Sequence, residues 1–275
     1  MSYLSVSTWS LHRLLGPLRW TSWDAEAGEH RTNEQDQPRI HSLLELPGEA
    51  SRRGYGAVEI CHFHFPSTDA AYLEELRQSF LNAGVSFDTL LLDYGDLSTT
   101  DEIRQAADAK LYRAWIDAAS RCGAKRIRIV AGEAPATDEQ AIRRSARRLR
   151  ELAEYASVRG VRVVTENFKA LTSTGASSAK LLDLAGEGVG MITDFGNYKG
   201  EAKYDEIAMT APRSSSLHVK PEYDGDGMPD EAELLRCLGA AERAGFDGAC
   251  VLIYDGPGDM WEGLERVKRI VSPRL

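Results

Sequence analysis

The run VRVVTE at residues 161–166 is followed by an amphipathic stretch near 177–185 and then by a second apolar run, VGMIT, at 189–193. Short runs rich in β-branched residues read as strands, and the longer segment between them carries helical spacing. The same unit recurs outward in both directions. Upstream lie YLSVST (3–8), AVEIC (57–61), VSFDTLL (85–91) and KRIRIV (125–130), and downstream SSSLHV (214–219) and GACVLI (248–253). Helices are expected at 39–53, 68–83, 100–122, 138–159, 204–210, 230–244 and 261–270. Several stop on one cue, a glycine just before the next strand, at Gly54, Gly84, Gly123, Gly160 and Gly245. Glycine takes the left-handed conformation that closes a helix.

Eight strand–helix units in 275 residues match a (β/α)8 barrel in count and length. A doubly wound open sheet is the rival, but no strand is followed by GxGxxG. No linker, repeat or low-complexity segment divides the chain. The expected fold is α/β, a single (β/α)8 TIM barrel over residues 1–275 with a long first βα loop. That loop is polar from about Thr21 to Gln37, and loops of such length are usually functional or poorly ordered. The 17–39 stretch is expected to be a lid or a dimer contact, which leaves a homo-oligomer open.

The chain carries 33 Lys plus Arg against 42 Asp plus Glu, a net charge of −9. Binding phosphates needs a basic footprint, so a nucleic-acid partner is not expected, nor an anionic membrane surface. Cys61, Cys122, Cys237 and Cys250 show no CxxC or disulfide spacing and read as buried small hydrophobes in a reducing compartment. The N-terminus lacks the basic and apolar regions of a signal peptide. No stretch approaches the ~18 apolar residues of a membrane span. The expected location is the cytoplasm.

Barrels keep their chemistry at the carboxyl ends of the strands. There Glu166 ends one strand, Asp194 follows the next, and His218 lies in the third. Neighbouring strands are about 4.8 Å apart, so the three tips can converge on one ion. Two carboxylates and an imidazole suit divalent Mn, Mg, Co, Fe or Zn, and the lack of thiolate argues against structural zinc. Each residue alone has a plainer reading: an ion-pair partner, an Asx turn, a satisfied core histidine. Their joint occurrence on consecutive strands favours the metal.

Other candidates surround them. Lys220 shares the side of the strand on which His218 lies and could hold a substrate hydroxyl or a developing oxyanion, or be a rim lysine. Arg128 alternates with Ile127 and Ile129, which points it into the barrel to position an anionic substrate or to neutralise Glu59 and Glu166. His62 and His64 share a face by alternation and could bind a metal or sugar hydroxyls. Trp9 and His12 could form an apolar wall for a sugar ring.

Together VVTENF (163–168), MITDFGNYKG (191–200) and SLHVKPEYDGDG (216–227) resemble the xylose isomerase-like TIM-barrel superfamily. Its members include sugar phosphate isomerases and epimerases, inosose dehydratases and isomerases, and type-IV endonucleases. GYGAVEIC (54–61) looks like its second strand, including a common Glu at Glu59, and GFDGACVLIYDG (245–256) looks like its last. The resemblance implies one divalent metal held by four groups from strands five to eight, with Glu166, Asp194 and His218 matching the first three. The fourth departs, because Ile253 stands where the family usually has Glu. Asp255, two residues on and facing the same side, is a candidate acid/base or water-mediated ligand, and otherwise a turn residue.

The resemblance implies a divalent-metal-dependent sugar or polyol isomerase/epimerase. It would abstract a proton next to a carbonyl through a metal-stabilised enediolate, with Glu166 and Asp255 as catalytic groups. In epimerase relatives the missing Glu completes a two-sided acid–base couple, so its loss favours single-base isomerisation or β-elimination. The alternatives are a metal-dependent lyase or dehydratase acting on an oxidised sugar, inosose or glycoside, and a barrel that has lost catalysis. A DNA-repair endonuclease would need further His and carboxylate ligands and a basic groove.

Overall fold

The computed structural model describes residues 2–275 and begins with β1 (Tyr3–Ser7), followed by a hairpin of β2 (Leu18–Asp24) and β3 (Glu29–Gln35). Then come α1 (Leu46–Arg52), β4 (Ala57–Cys61), α2 (Ala70–Ala83), β5 (Ser86–Leu92), α3 (Glu102–Arg121), β6 (Arg126–Ile129) and α4 (Glu139–Ser157). The remaining elements are β7 (Arg162–Glu166), α5 (Gly175–Ala185), β8 (Val189–Asp194), α6 (Lys203–Thr210), β9 (Ser214–Val219), α7 (Glu231–Arg243), β10 (Ala249–Leu252) and α8 (Met260–Val271). Among the described residues, β1 and β4 to β10 close into one parallel barrel, each pairing with the next and β10 returning to β1. This is the (β/α)8 arrangement expected from the alternation of elements.

Side-chain alternation sorts the strand residues. Val6, Ile60, Leu90, Ile127, Val163, Met191, Leu217 and Leu252 join the large cluster between sheet and helices. Each such burial contributes about 1.5–3 kcal/mol. Their neighbours Cys61, Leu91, Val164 and Ile192 meet inside the barrel, as do Ala249, Val251 and Ile253. Polar groups also point inward. The Ser216 hydroxyl donates to Glu59 at 3.2 Å, joining β9 to β4, and β10 and β1 separate those strands in the sheet. That bond therefore passes through the interior.

Helix starts follow the sequence closely. Asp69, Asp101, Asp138, Asp230 and Asp259 each accept a backbone N–H two or three residues on. Such a cap is worth about 1 kcal/mol, and its negative charge suits the helix dipole. At α2 the cap is Asp69, whose second carboxylate oxygen accepts the Ser67 hydroxyl.

Two regions differ from the sequence reading. The polar stretch after β1 is an antiparallel hairpin, paired from Leu18 opposite Gln35 to Asp24 opposite Glu29. Asp24 Oδ1 accepts the N–H groups of Glu26 and Ala27, and Gly28 takes φ 66° to close the turn. Trp20, Thr21, Trp23 and Thr32 give it strand character that its charge concealed. The helix expected from residue 39 begins only at Leu46. Pro47 sits in its first turn, where its missing amide is tolerated.

Candidate metal centre

Three adjacent strands end at the same mouth of the barrel. Register places Glu166 of β7 opposite Ile192, and Asp194 of β8 opposite His218 of β9. One carboxylate oxygen from each acid and one imidazole nitrogen all lie within 4.8 Å of one another, and all three residues are buried. His218 Nδ1 stands 3.5 Å from Glu166 Oε1 and 3.6 Å from Asp194 Oδ2. Those distances are too long for good hydrogen bonds. Donors each about 2.0–2.2 Å from a shared cation stand roughly 3–3.6 Å apart, which is close to the spacing seen. Two carboxylate oxygens and a nitrogen form a donor set suited to a hard or borderline divalent ion.

Each donor is held from behind. His218 Nε2 is 2.8 Å from Glu59 Oε2, leaving Nδ1 for the centre. Glu59 is wholly buried and also receives the hydroxyls of Thr89 at 2.8 Å and Ser216 at 3.2 Å. Burial opposes an imidazolium at His218, but the Glu166 and Glu59 carboxylates outweigh it and hold its pKa well above the ordinary 6.5. At Asp194, Oδ1 accepts the Gly196 N–H at 2.6 Å while Oδ2 faces the centre. The turn and the ligand geometry thus occupy different oxygens of one carboxylate. The Asn167 side-chain amide clamps the Asp194 backbone, accepting its N–H at 2.7 Å and donating to its carbonyl at 2.9 Å.

Glu166 Oε1 receives the Asn197 amide at 3.3 Å, and Oε2 lies 3.0 Å from Arg128 Nη1. Arg128 is 2% exposed and donates its other Nη2 to Asp93. Burial works against its charge, but Asp93 and Glu166 prevail and keep it cationic. Asp93, rather than Glu59, is thus its second carboxylate partner. Glu59 is already taken by His218, Thr89 and Ser216. Asp93 lies just past the end of β5, two residues beyond inward-facing Leu91, and that alternation is the signal that could have found it.

A cavity of about 380 Å³ opens in front of these groups. Glu166, Asp194, His218, Arg128, Asp93 and Lys220 line one side, and Trp9, Trp20, Phe63 and Ile253 the other. Ile253 is 3% exposed and packs with Val251 and Trp9. Lys220 Nζ lies 2.7 Å from Asp255 Oδ2 at the rim, and Asp255 lines an adjoining cleft rather than the main cavity. Burial would lower the Lys220 pKa, but Asp255 and the more distant Asp194 raise it overall. The lysine stem passes Gly196 so closely that a Cβ there would stand 2.8 Å from Lys220 Cδ.

The remaining sequence candidates divide. Trp9 reaches the cavity, whereas His12 stacks behind it at 4.5 Å with Nδ1 2.6 Å from the Trp9 carbonyl. His62 and His64 lie in a 3₁₀ turn rather than on a strand, so alternation does not govern them. The Nδ1 of His62 accepts the Asp93 N–H at 3.1 Å and its Nε2 meets Thr21 Oγ1 at 3.2 Å. His64 Nδ1 contacts Thr8 Oγ1 at 3.0 Å. Neither ring lines the cavity. Trp20 and Asn197, neither kept among the sequence candidates, both do.

Residues 47–270 match the family described as xylose isomerase-like TIM barrel. No curated protein matches the chain by sequence. Among solved structures, a D-allulose 3-epimerase from Methylomonas sp. is 15% identical with a TM-score of 0.71, covering 99% of this chain and 98% of that one. A probable 3-DHS dehydratase, AsbF, from Bacillus anthracis is 16% identical with a TM-score of 0.70, covering all of both chains. A xylose isomerase-like TIM barrel protein from Mycobacterium smegmatis, in complex with magnesium, is 15% identical with a TM-score of 0.67, covering 98% and 95%. Among the described residues no helix is long and apolar enough to cross a membrane.

Proposed function

Because the chain belongs to the xylose isomerase-like TIM barrel family, we propose that it is a divalent-metal-dependent sugar or polyol isomerase/epimerase, acting as a single domain over residues 1–275. It draws a proton from the carbon beside a carbonyl. The observation that carries this reading is the convergence of Glu166, Asp194 and His218 within 4.8 Å at the mouth of the barrel. These three residues would hold the ion, which when bound supplies Lewis acidity to the substrate's carbonyl and hydroxyl oxygens and so acidifies the neighbouring C–H.

The chain's own groups do the rest. Glu59 fixes the His218 ring with Nδ1 toward the centre, and such outer partners orient and strengthen a ligand. Glu166 accepts the proton at a carboxylate oxygen. Asp93 takes part of the Arg128 guanidinium, so Glu166 does not face an undivided positive charge. Lys220, kept protonated by Asp255 at 2.7 Å, donates to a substrate oxygen on the rim side. The apolar wall of Trp9 and Ile253 excludes water from the far side.

Ile253 favours a second reading within the same chemistry. A buried isoleucine fills the wall where a second base would complete a two-sided epimerisation. Reactions needing one base remain: isomerisation, or β-elimination in which Glu166 takes the C–H proton and Lys220 protonates the departing hydroxyl as water. A lyase or dehydratase on an oxidised sugar, inosose or glycoside is therefore the runner-up.

Elemental analysis and calorimetric titration of protein purified without chelator test the proposal. About one divalent ion per chain is expected, lost in Glu166→Ala and Asp194→Ala. A chain that holds no stoichiometric ion would sink it. Proton NMR of candidate substrates in deuterated water then separates the two readings, through exchange at carbon with isomer formation or through a dehydrated product.

A further inference from the structure

We propose that the hairpin β2–β3 makes the cavity selective for a polyol joined to an aromatic group, such as an aryl glycoside, with Trp20 as the specificity-determining residue. This rests on the proposed site, whose polyol end faces Glu166, Asp194 and His218.

The cavity has two unlike halves. On the metal side the charged groups are paired: Arg128 with Asp93 and Glu166, Lys220 with Asp255, His218 with Glu59, and Lys169 with Glu133 at a longer 3.8 Å. That half suits hydroxyl and carbonyl oxygens arriving at preset positions. The opposite half presents ring carbon. Trp20 spends its indole N–H on Gln35 Oε1 at 3.2 Å, across the hairpin. Its ring packs on Phe63 with centroids 4.2 Å apart, and Trp9 meets both rings edge-on at 6.5 and 6.2 Å. A hydroxyl placed there loses its water and gains no partner. An aromatic group there gains offset or edge contacts with three rings. The cavity's 380 Å³ falls in the range of about 300–1,000 Å³ that holds drug-sized ligands.

The wall is built rather than incidental. Trp9 sits in the turn directly after β1 of the barrel, and Trp20 on the hairpin that follows it. The hairpin is pinned at two points: Thr21 Oγ1 to His62 at 3.2 Å, and His30 Nε2 to Asp108 Oδ1 at 2.8 Å on α3. Trp20 is therefore held in place before any ligand arrives.

Calorimetry with phenyl glucoside, methyl glucoside and glucose as probes tests this, on the manganese-loaded chain and on the metal-free chain. The phenyl glucoside is expected to bind roughly tenfold or more tightly than the methyl glucoside. Trp20→Ala is expected to abolish that preference with little change for the methyl compound, and Trp20→Phe to keep most of it. Equal affinities, no binding by any probe, or a preference that survives Trp20→Ala would overturn the inference. Failure of the metal reading is separately visible: manganese would not bind, while an aryl preference in the metal-free chain would still stand.

Discussion

His218 divides its ring nitrogens between a carboxylate buried beneath it and the open centre above. That division makes Glu59 a residue whose effect is felt through another. Glu59→Gln keeps the side chain's shape but removes the charge that orients the imidazole, so divalent-ion affinity should fall roughly 10–100-fold. Calorimetric titration with manganese measures it, and an unchanged affinity would leave Glu59 as barrel filling only. Residue-scale legibility was uneven for a definite reason. Glu166, Asp194 and His218 sit at the ends of three consecutive strands, where alternation within each strand is a local property, although the β8–β9 register shifts between Met191 and Ile192. His62 and His64 lie in a 3₁₀ turn past the end of β4, so alternation said nothing reliable about where they point.

The hairpin β2–β3 is the element whose nature the sequence concealed. Its outer strand is mostly exposed and rich in Glu, Asn and Gln, which reads as loop. Its ordering comes from contacts with distant parts of the chain. His30 reaches Asp108, which also accepts the Tyr94 hydroxyl at 2.6 Å, and the Trp23 ring lies edge-on to His30. Removing that anchor with His30→Ala should speed amide exchange across Leu18–Asp24 and Glu29–Gln35 by roughly tenfold while the barrel strands keep their protection. Exchange monitored by mass spectrometry decides it. Unaltered exchange would mean that Thr21, Trp20 and the pairing of the two strands hold the hairpin without His30.

At the scale of the whole molecule, buried histidines set an acid limit on stability. Burial lowers the pKa of His62 from 6.5 to about 4 and that of His64 to about 3. Between those values and 6.5 the unfolded chain binds more protons than the folded one, so stability rises with pH across that window and is lost as pH falls. His62 alone accounts for on the order of 3 kcal/mol. His218 slopes the other way: its raised pKa contributes stability below 6.5 in the metal-free chain that is lost as pH rises through the folded value. Thermal melts from pH 7 down to pH 4 should show a falling midpoint, and the double variant His62→Gln, His64→Gln should flatten that slope. A parallel slope in the variant would place the acid sensitivity elsewhere. The alternation of strand and helix, the glycine stops and the placing of Glu166, Asp194 and His218 at strand ends were all determined by the sequence itself, because each depends on spacing within one segment. Tertiary structure alone decided that Arg128 pairs with Asp93, that Ile253 and Trp9 close the far wall, and that the hairpin lays Trp20 against Phe63. Those partners lie on different strands and loops, and only closure of the barrel brings them face to face.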